Sequence, residues 1–240
     1  VAPDLTVPPL LEGRDPAPGC RVRVTTAEGS RLSHVLYLPE DWRPGARYTN
    51  LRDVRHVPFA HVGFLDIDWK NYCFDSHLAA AARCRPFVTV ARDIECISQI
   101  DKILGEADKL QKHAKRVIVV PKDPRLESRL HRAIPNEFLL GYSVPTRYGG
   151  TTIRPEAFEW SVHLLGGRPD AQRRLADRMS VVSIDCNRFT YDAQYGDYFD
   201  GERFRPHPKG GYETCLKDSI ANITSLWKDY RSPTLEQRDG

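Results

Sequence analysis

Six short, almost wholly apolar segments, separated by helix-like stretches, constrain the fold of this chain more than any other feature. They lie at residues 61–66, 86–91, 116–120, 138–143, 161–166 and 180–185. Their apolar residues are continuous rather than alternating, which is typical of parallel strands covered on both faces. Between them, residues 97–110, 125–134, 169–179 and 214–230 have the apolar spacing of helices. Repeated β-then-α units predict a parallel sheet, either doubly wound or closed as a barrel.

Polar residues and glycines stand at or just after the C-terminal ends of these segments. They are Asp66, Asp93, Lys122, Ser143, the pair Gly166-Gly167, and Asp185. In a barrel these ends converge on one mouth, where catalytic groups gather. No G-x-G-x-x-G follows the first segment, which removes support for a dinucleotide-binding open sheet. The pattern therefore predicts an α/β fold of the (β/α) TIM-barrel type, and, because only six strands are evident, an incomplete or compact barrel.

The first 60 residues differ in character from the rest. Five prolines within residues 1–19 prevent regular structure and predict an extended arm. Two alternating runs then flank residues 27–30, which predicts a β-hairpin. We therefore expect two parts: an N-terminal arm and hairpin over residues 1–60, packed on the barrel, and a catalytic barrel over residues 61–240.

The composition excludes several classes of protein. No run approaches the roughly 18 apolar residues of a transmembrane helix, and the N-terminus lacks the basic-then-apolar order of a signal peptide. The six cysteines include no C-x-x-C and no close Cys/His pair, so we expect reduced thiols and neither zinc nor another cofactor. These features predict a cytoplasmic protein. The net charge of +3 permits nucleic-acid binding without requiring it.

Three acidic positions are the main candidates for chemistry. Asp66 and Asp68 are two residues apart, so a strand would point both carboxylates to the same side, and helix capping is the alternative. Asp93 follows a strand and precedes a helix, so it is either a cap or an acceptor for the N–H edge of a guanine-like base. Asp185 follows the largely apolar run 181–184, which predicts a partly dry carboxylate, with a structural salt bridge to Arg188 as the alternative.

Two other features are less specific. The double glycines at 149–150 and 166–167 would let a base or phosphate approach backbone N–H groups, although ordinary turns need them equally. His163 lies inside a strand, where a hydrogen-bonded core role is the usual interpretation. It is the only histidine that we single out.

The order of these motifs resembles that of the tRNA-guanine transglycosylases. Residues 162–169, followed by a helix and then by residues 182–186, are similar to the part of that family in which a strand ends in an Asp-Cys pair whose Asp is the nucleophile. Residues 139–144 resemble the family's Gly-Tyr strand, and residues 90–93 resemble its base-recognition strand. Residues 64–66 occupy the place of its second catalytic acid. The resemblance covers about residues 61–200.

The chain also departs from that family. The Ser-Gly-Gly that follows the first acid is replaced by residues 67–69, the glutamine-bearing strand is replaced by residues 119–122, and the zinc motif is absent. A compact chain without zinc resembles the phage-type DNA 7-deazaguanine transglycosylases more closely.

This resemblance implies an exchange of guanine in nucleic acid for a 7-deazaguanine, such as the 7-cyano form. It implies that Asp185 is the nucleophile and that Asp66, or alternatively Asp68, is the second catalytic acid. The implied base-binding residues are Asp93, Asp68, Lys122, Gly141, Tyr142, Ser143 and Gly166, and the implied phosphate contacts are Arg147, Arg168 and Arg188. The expected partners are DNA, with tRNA as the alternative, and the free base. The expected location is the cytoplasm. If a phage encodes the chain, this is the cytoplasm of the host. A barrel nucleosidase or glycosidase with the same paired acids is the alternative enzyme class.

Overall fold

The computed structural model describes residues 21–26, 33–38, 47–50, 62–67 and 72–231, and it is an α/β structure built around one large sheet. The strands of that sheet are β1 (Arg21–Thr26), β2 (Ser33–Leu38), β3 (Arg47–Asn50), β4 (Val62–Asp66), β5 (Val88–Val90), β6 (Arg116–Val119), β7 (Leu139–Ser143), β8 (Val162–Leu165) and β9 (Val181–Cys186). A separate two-stranded sheet contains β10 (Asp197–Phe199) and β11 (Phe204–Pro206). The helices are α1 (Phe74–Cys84), α2 (Ile100–Gln111), α3 (Leu130–Ala133), α4 (Pro169–Leu175), α5 (Arg188–Ala193) and α6 (Tyr212–Trp227).

The six predicted strands are confirmed as β4 to β9, which lie side by side in chain order and pair in parallel. β3 extends this parallel array beyond β4. At the other edge β2 pairs antiparallel with β9, and β1 pairs antiparallel with β2 as the predicted hairpin. The predicted N-terminal arm, residues 1–19, lies outside the described residues.

The sheet is curled rather than flat. The ring of Phe64 on β4 stacks on the imidazole of His163 on β8, with centroids 5.6 Å apart. Three strands separate β4 from β8 in the sheet, and four flat steps would span about 19 Å. The edge strands β1 and β3 also approach each other, with Cα atoms within 8 Å. The parallel strands therefore form a curled half-barrel with an inner and an outer face.

Apolar side chains cover both faces of the sheet, which explains why the apolar segments are continuous. The inner face carries a buried cluster of Phe64, Ile67, Val88, Val90, Ile118 and Val120. The outer face packs against the helices in a larger core that includes Leu65, Leu140, Leu164, Ile184 and Trp227. Neighbouring residues of one strand, such as Phe64 and Leu65, therefore belong to the two different cores on opposite faces of the sheet.

The helix predictions agree with the structure in position. α2 buries Ile103, Ala107 and Leu110 at helical spacing and follows a 3-10 turn at Ile97–Gln99. Residues 125–134 form a 3-10 turn followed by α3, and the other two predicted helices are α4 and α6. α1 and α5 were not predicted. None of the helices in the described part of the chain is long and apolar enough to cross a lipid bilayer.

Candidate active site

The predicted site residues of the described strands lie along one edge of the sheet. Asp66 and Ser143 end β4 and β7, Asp185 is the penultimate residue of β9, and Gly166 directly follows β8. Asp93 and Lys122 follow β5 and β6 by three residues each. Because these strands are parallel and adjacent, their C-terminal ends share one edge, and the curl of the sheet brings the two ends of that edge towards each other. We call this edge the mouth.

Asp185 is paired with His163, whose imidazole is fully buried. His163 Nε2 lies 3.2 Å from Asp185 Oδ1, and His163 Nδ1 lies 2.7 Å from Ser183 Oγ. An ionised carboxylate can only accept hydrogen bonds, so Nε2 donates to Asp185, and in the neutral imidazole Nδ1 accepts from the Ser183 hydroxyl. The backbone N–H of Gly166 donates to the same oxygen, Asp185 Oδ1, at 3.1 Å. One carboxylate oxygen is thus fixed from two directions.

The second oxygen of Asp185 is different. Among the described residues none donates a hydrogen bond to Oδ2, and 19% of the side chain is exposed. Asp185 therefore has one anchored oxygen and one oxygen without a donor in the described part of the chain, on a partly exposed side chain.

Gln172 on α4 holds the backbone around this carboxylate. Its Nε2 donates to the carbonyl oxygens of Gly166 and Asp185, both at 2.7 Å, and the side chain is fully buried. The Cys186 thiol donates to the Gly167 carbonyl at 3.2 Å. Burial raises the pKa of Cys186 to about 12, so this thiol stays neutral and does not act as a nucleophile near neutral pH.

The turn between β8 and α4 requires glycine for two reasons. Gly166 and Gly167 have φ angles of 64° and 84°, in the left-handed region. A Cβ at Gly167 would also lie 2.5 Å from Val144 Cγ1. The turn is therefore pressed against the end of β7, and this position directs the Gly166 N–H towards Asp185.

Asp93 and Lys122 form an ion pair at the mouth. Lys122 Nζ lies 2.6 Å from Asp93 Oδ2 and 3.0 Å from Glu95 Oε1. Burial raises the pKa of Asp93, and the contact with Lys122 opposes this rise. Burial lowers the pKa of Lys122, but its two carboxylate partners outweigh this, so its pKa lies above the ordinary value. A nucleobase that hydrogen-bonds to Asp93 would therefore lie beside the positive charge of Lys122.

Asp66 is half-buried, and its Oδ1 accepts a hydrogen bond from the Ile67 N–H at 2.8 Å. It lies two residues beyond Phe64, whose ring stacks on His163, the partner of Asp185. Asp66 and Asp185 are consequently on the same side of this aromatic contact. Asp68 lies outside the described residues.

The predicted base-binding residues of β7 lie in three different environments. A Cβ on Gly141 would lie within 2.6–2.8 Å of Ile118, Val120 and Leu165, so this position is deep in the apolar interior. The Tyr142 ring packs on Phe158 in the helix-facing core, on the face opposite to Asp185. Ser143 is half-buried at the end of the strand.

The three predicted phosphate-binding arginines follow adjacent strands. Arg147 comes after β7, Arg168 after β8 and Arg188 after β9, and all three are exposed. Arg168 pairs with Asp170 at 2.9 Å, and Arg188 pairs with Asp192 at 2.6 Å. Arg188 therefore does not form the salt bridge to Asp185 that was the alternative interpretation, because Asp192 holds it one helical turn further on.

Sequence reasoning missed Gln172, Ser183 and Arg92. Ser183 shares a strand face with Asp185, so its two-residue spacing was a usable signal. Arg92 stands next to Asp93, with its guanidinium 5.7 Å from the Tyr72 ring and its buried Nε without a partner among the described residues. Those residues contain no group of three His, Cys, Asp or Glu side chains that could hold a metal ion.

Fold and site together define an α/β protein whose curled parallel sheet carries a buried histidine paired with a partly exposed aspartate at its C-terminal edge. The chain belongs to DUF6610, a family of unknown function whose sequence pattern matches residues 38–228. That match includes β3 to β9 and every residue of the mouth described above. No curated protein and no solved structure matches the chain significantly.

Proposed function

We propose that this protein is a TIM-barrel-type transglycosylase that exchanges guanine in DNA for a 7-deazaguanine through a covalent bond to Asp185. The observation that carries the proposal is the asymmetric setting of the Asp185 carboxylate. His163 and Gly166 hold Oδ1, while Oδ2 accepts no hydrogen bond from the described residues and the side chain is partly exposed. A nucleophilic carboxylate needs this combination of a fixed direction and one unshielded oxygen.

The exchange takes two displacements at the sugar C1′. In the first, Asp185 Oδ2 attacks C1′, the bond from C1′ to guanine N9 breaks with its electron pair, and guanine takes a proton from the Asp66 carboxyl group. In the second, Asp66 takes the N9 proton of the incoming 7-deazaguanine. N9 then attacks C1′, and the electron pair of the broken C1′–O bond returns to Asp185. Two carboxyl groups with these roles are the arrangement of retaining glycosidases.

The surroundings of Asp185 favour such a reaction. The sugar acquires positive charge at C1′ in the transition state, and a nearby carboxylate stabilises that charge. The inner face below the mouth is filled by Phe64, Val90 and Val120, so water has no access from that side. Asp93 and Lys122 offer an acceptor and a donor for the edge of a guanine-like base.

The test is incubation of DNA, and separately of tRNA, with the protein and labelled guanine or 7-cyano-7-deazaguanine, followed by nucleoside analysis. We expect incorporation of label into DNA and loss of incorporation by at least about 10³-fold in Asp185→Asn. Asp108→Asn, which alters an exposed carboxylate on α2, is the matched control and should exchange normally. Full activity of Asp185→Asn would overturn the mechanism. Release of guanine without incorporation would identify a nucleosidase instead.

A further inference from the structure

The described part of the chain exposes three large aromatic side chains, and all three follow strands that end at the mouth. Tyr148, Tyr191 and Tyr195 are 80%, 53% and 69% exposed. Tyr148 lies between β7 and β8, and the other two lie in α5 and just after it, beyond β9. Exposed aromatic side chains that are grouped beside a proposed site indicate a binding surface rather than a solvated face.

Two of these tyrosines form a stripe with an arginine along α5. Arg188, Tyr191 and Tyr195 are three and four residues apart, so they share one helix face. The Tyr191 and Tyr195 ring centroids are 5.2 Å apart, and the Arg188 guanidinium is 5.9 Å from the Tyr191 ring. α5 begins three residues after Asp185, so the stripe follows the proposed nucleophile directly along the chain.

A second arginine–tyrosine pair lies on the loop after β7. The Arg147 guanidinium is 4.6 Å from the Tyr148 ring centroid and contacts its hydroxyl. Only β8 separates β7 from β9 in the sheet, so the two strands that lead to these pairs are about 10 Å apart. We call the five residues Arg147, Tyr148, Arg188, Tyr191 and Tyr195 the arginine–tyrosine rim.

We propose that the arginine–tyrosine rim binds a single-stranded polynucleotide, whose unpaired bases stack on the tyrosines and whose phosphates contact the arginines. Every base has a π-face, so exposed rings bind single strands without requiring a particular sequence. In a duplex the bases stack on one another, and the tyrosines have no face to contact. Asp192, which pairs with Arg188 at 2.6 Å, is itself buried and orients the guanidinium.

This inference deepens the proposed function. It rests on that function only in assuming that the bound strand presents its target base to Asp185. Binding itself requires no chemistry. It can therefore be measured on the Asp185→Asn protein, in which no exchange takes place.

The experiment is fluorescence anisotropy of Asp185→Asn protein with a labelled oligodeoxynucleotide of about 12 nucleotides, the matching oligoribonucleotide, and the blunt DNA duplex of the same sequence. We expect a single strand to bind at least about tenfold more tightly than the duplex. The tighter of the two single strands identifies the polynucleotide. The double change Tyr191→Ala/Tyr195→Ala should weaken single-strand binding by about tenfold or more, and Tyr191→Phe/Tyr195→Phe should retain it.

Arg147→Ala should lower the affinity and reduce the slope of log K against log salt by about 0.7. Arg116→Ala is the control, because Arg116 is exposed at the N-terminal end of β6, opposite the mouth. Equal binding of duplex and single strand, or unchanged binding by the Tyr→Ala double variant, would overturn the inference. The parent protein could bind single strands through the tyrosines and yet exchange no bases. That result would overturn the proposed function but would still support the inference about the arginine–tyrosine rim.

Discussion

The ring of Phe64 and the imidazole of His163 lie nearly parallel, 17° apart in plane, across the interior of the curled sheet. This contact joins β4, which ends at Asp66, to β8, whose histidine holds Asp185. The distance between the two proposed catalytic acids therefore depends on an aromatic contact below them.

His163→Phe should preserve the stack on Phe64 but remove the donor to Asp185 Oδ1. We expect the variant to fold and the rate of base exchange to fall by about 10²-fold, because the carboxylate loses one of its two anchors. The measurements are kcat for exchange and the thermal unfolding midpoint. His131→Phe, which changes a histidine that pairs with Glu159 and lies away from the mouth, should exchange normally. A fully active His163→Phe protein would show that this histidine is only a packing residue.

Gln172→Leu should destabilise the protein by about 2–4 kcal/mol, since the carbonyls of Gly166 and Asp185 would both lose their donor. Urea unfolding measures this change. The matched control is Gln111→Leu, because the Gln111 side chain makes a longer 3.5 Å hydrogen bond to Glu137 at the surface, and its loss should change the free energy of unfolding by less than about 0.5 kcal/mol. Equal effects of the two changes would contradict the role given to Gln172.

Gly167→Ala and Gly196→Ala separate backbone strain from steric clash. Both glycines have nearly the same φ, 84° and 82°, but an added Cβ meets Val144 at Gly167 and nothing within 4 Å at Gly196. We expect Gly196→Ala to cost about 1 kcal/mol of unfolding free energy and Gly167→Ala about 1–3 kcal/mol more. Chemical denaturation of both variants provides the comparison, and adding Val144→Ala should restore part of the loss only at Gly167.

His77 should make stability depend on pH. Burial lowers the pKa of His77 from 6.5 to about 4, and the neutral ring is held between Tyr72 and Thr89. In the unfolded chain this histidine binds a proton below about pH 6.5, whereas in the folded protein it binds one only near pH 4. The free energy of unfolding should therefore fall by about 1.4 kcal/mol per pH unit as the pH drops through this window.

The reference for this measurement is His77→Gln, which keeps a donor for Thr89. Because other groups titrate equally in both proteins, the difference between their unfolding free energies isolates His77. A difference that stays constant between pH 7.5 and pH 4.5 would contradict the assignment.

The strands of this fold could be predicted from the sequence because both faces of β4 to β9 are buried. β3 could not, since its sequence Arg-Tyr-Thr-Asn has no apolar run. It exists through its pairing with β4, and tertiary pairing of this kind overrides local preference. α5 has only six residues, too few for a periodic pattern to be recognised.

The mouth residues could be predicted because an acid at the end of a buried strand is conspicuous. The pairing of His163 with Asp185 could not, because it depends on an irregular register between β8 and β9. Val162 lies opposite Val181, but His163 lies opposite Ser183, so that one residue of β9 is skipped. A shift of one residue exchanges the two faces of a strand, and no periodicity in the sequence reveals where such a bulge occurs.

The antiparallel pairing of β2 with β9 places Leu36 opposite Asp185, 149 positions later in the chain. Closing so large a loop is entropically slow compared with joining neighbouring βα units. In any state in which β2 has not docked, β9 is an edge strand of the parallel array. Such an edge can pair with another chain, so docking of the hairpin removes a surface on which two copies could associate.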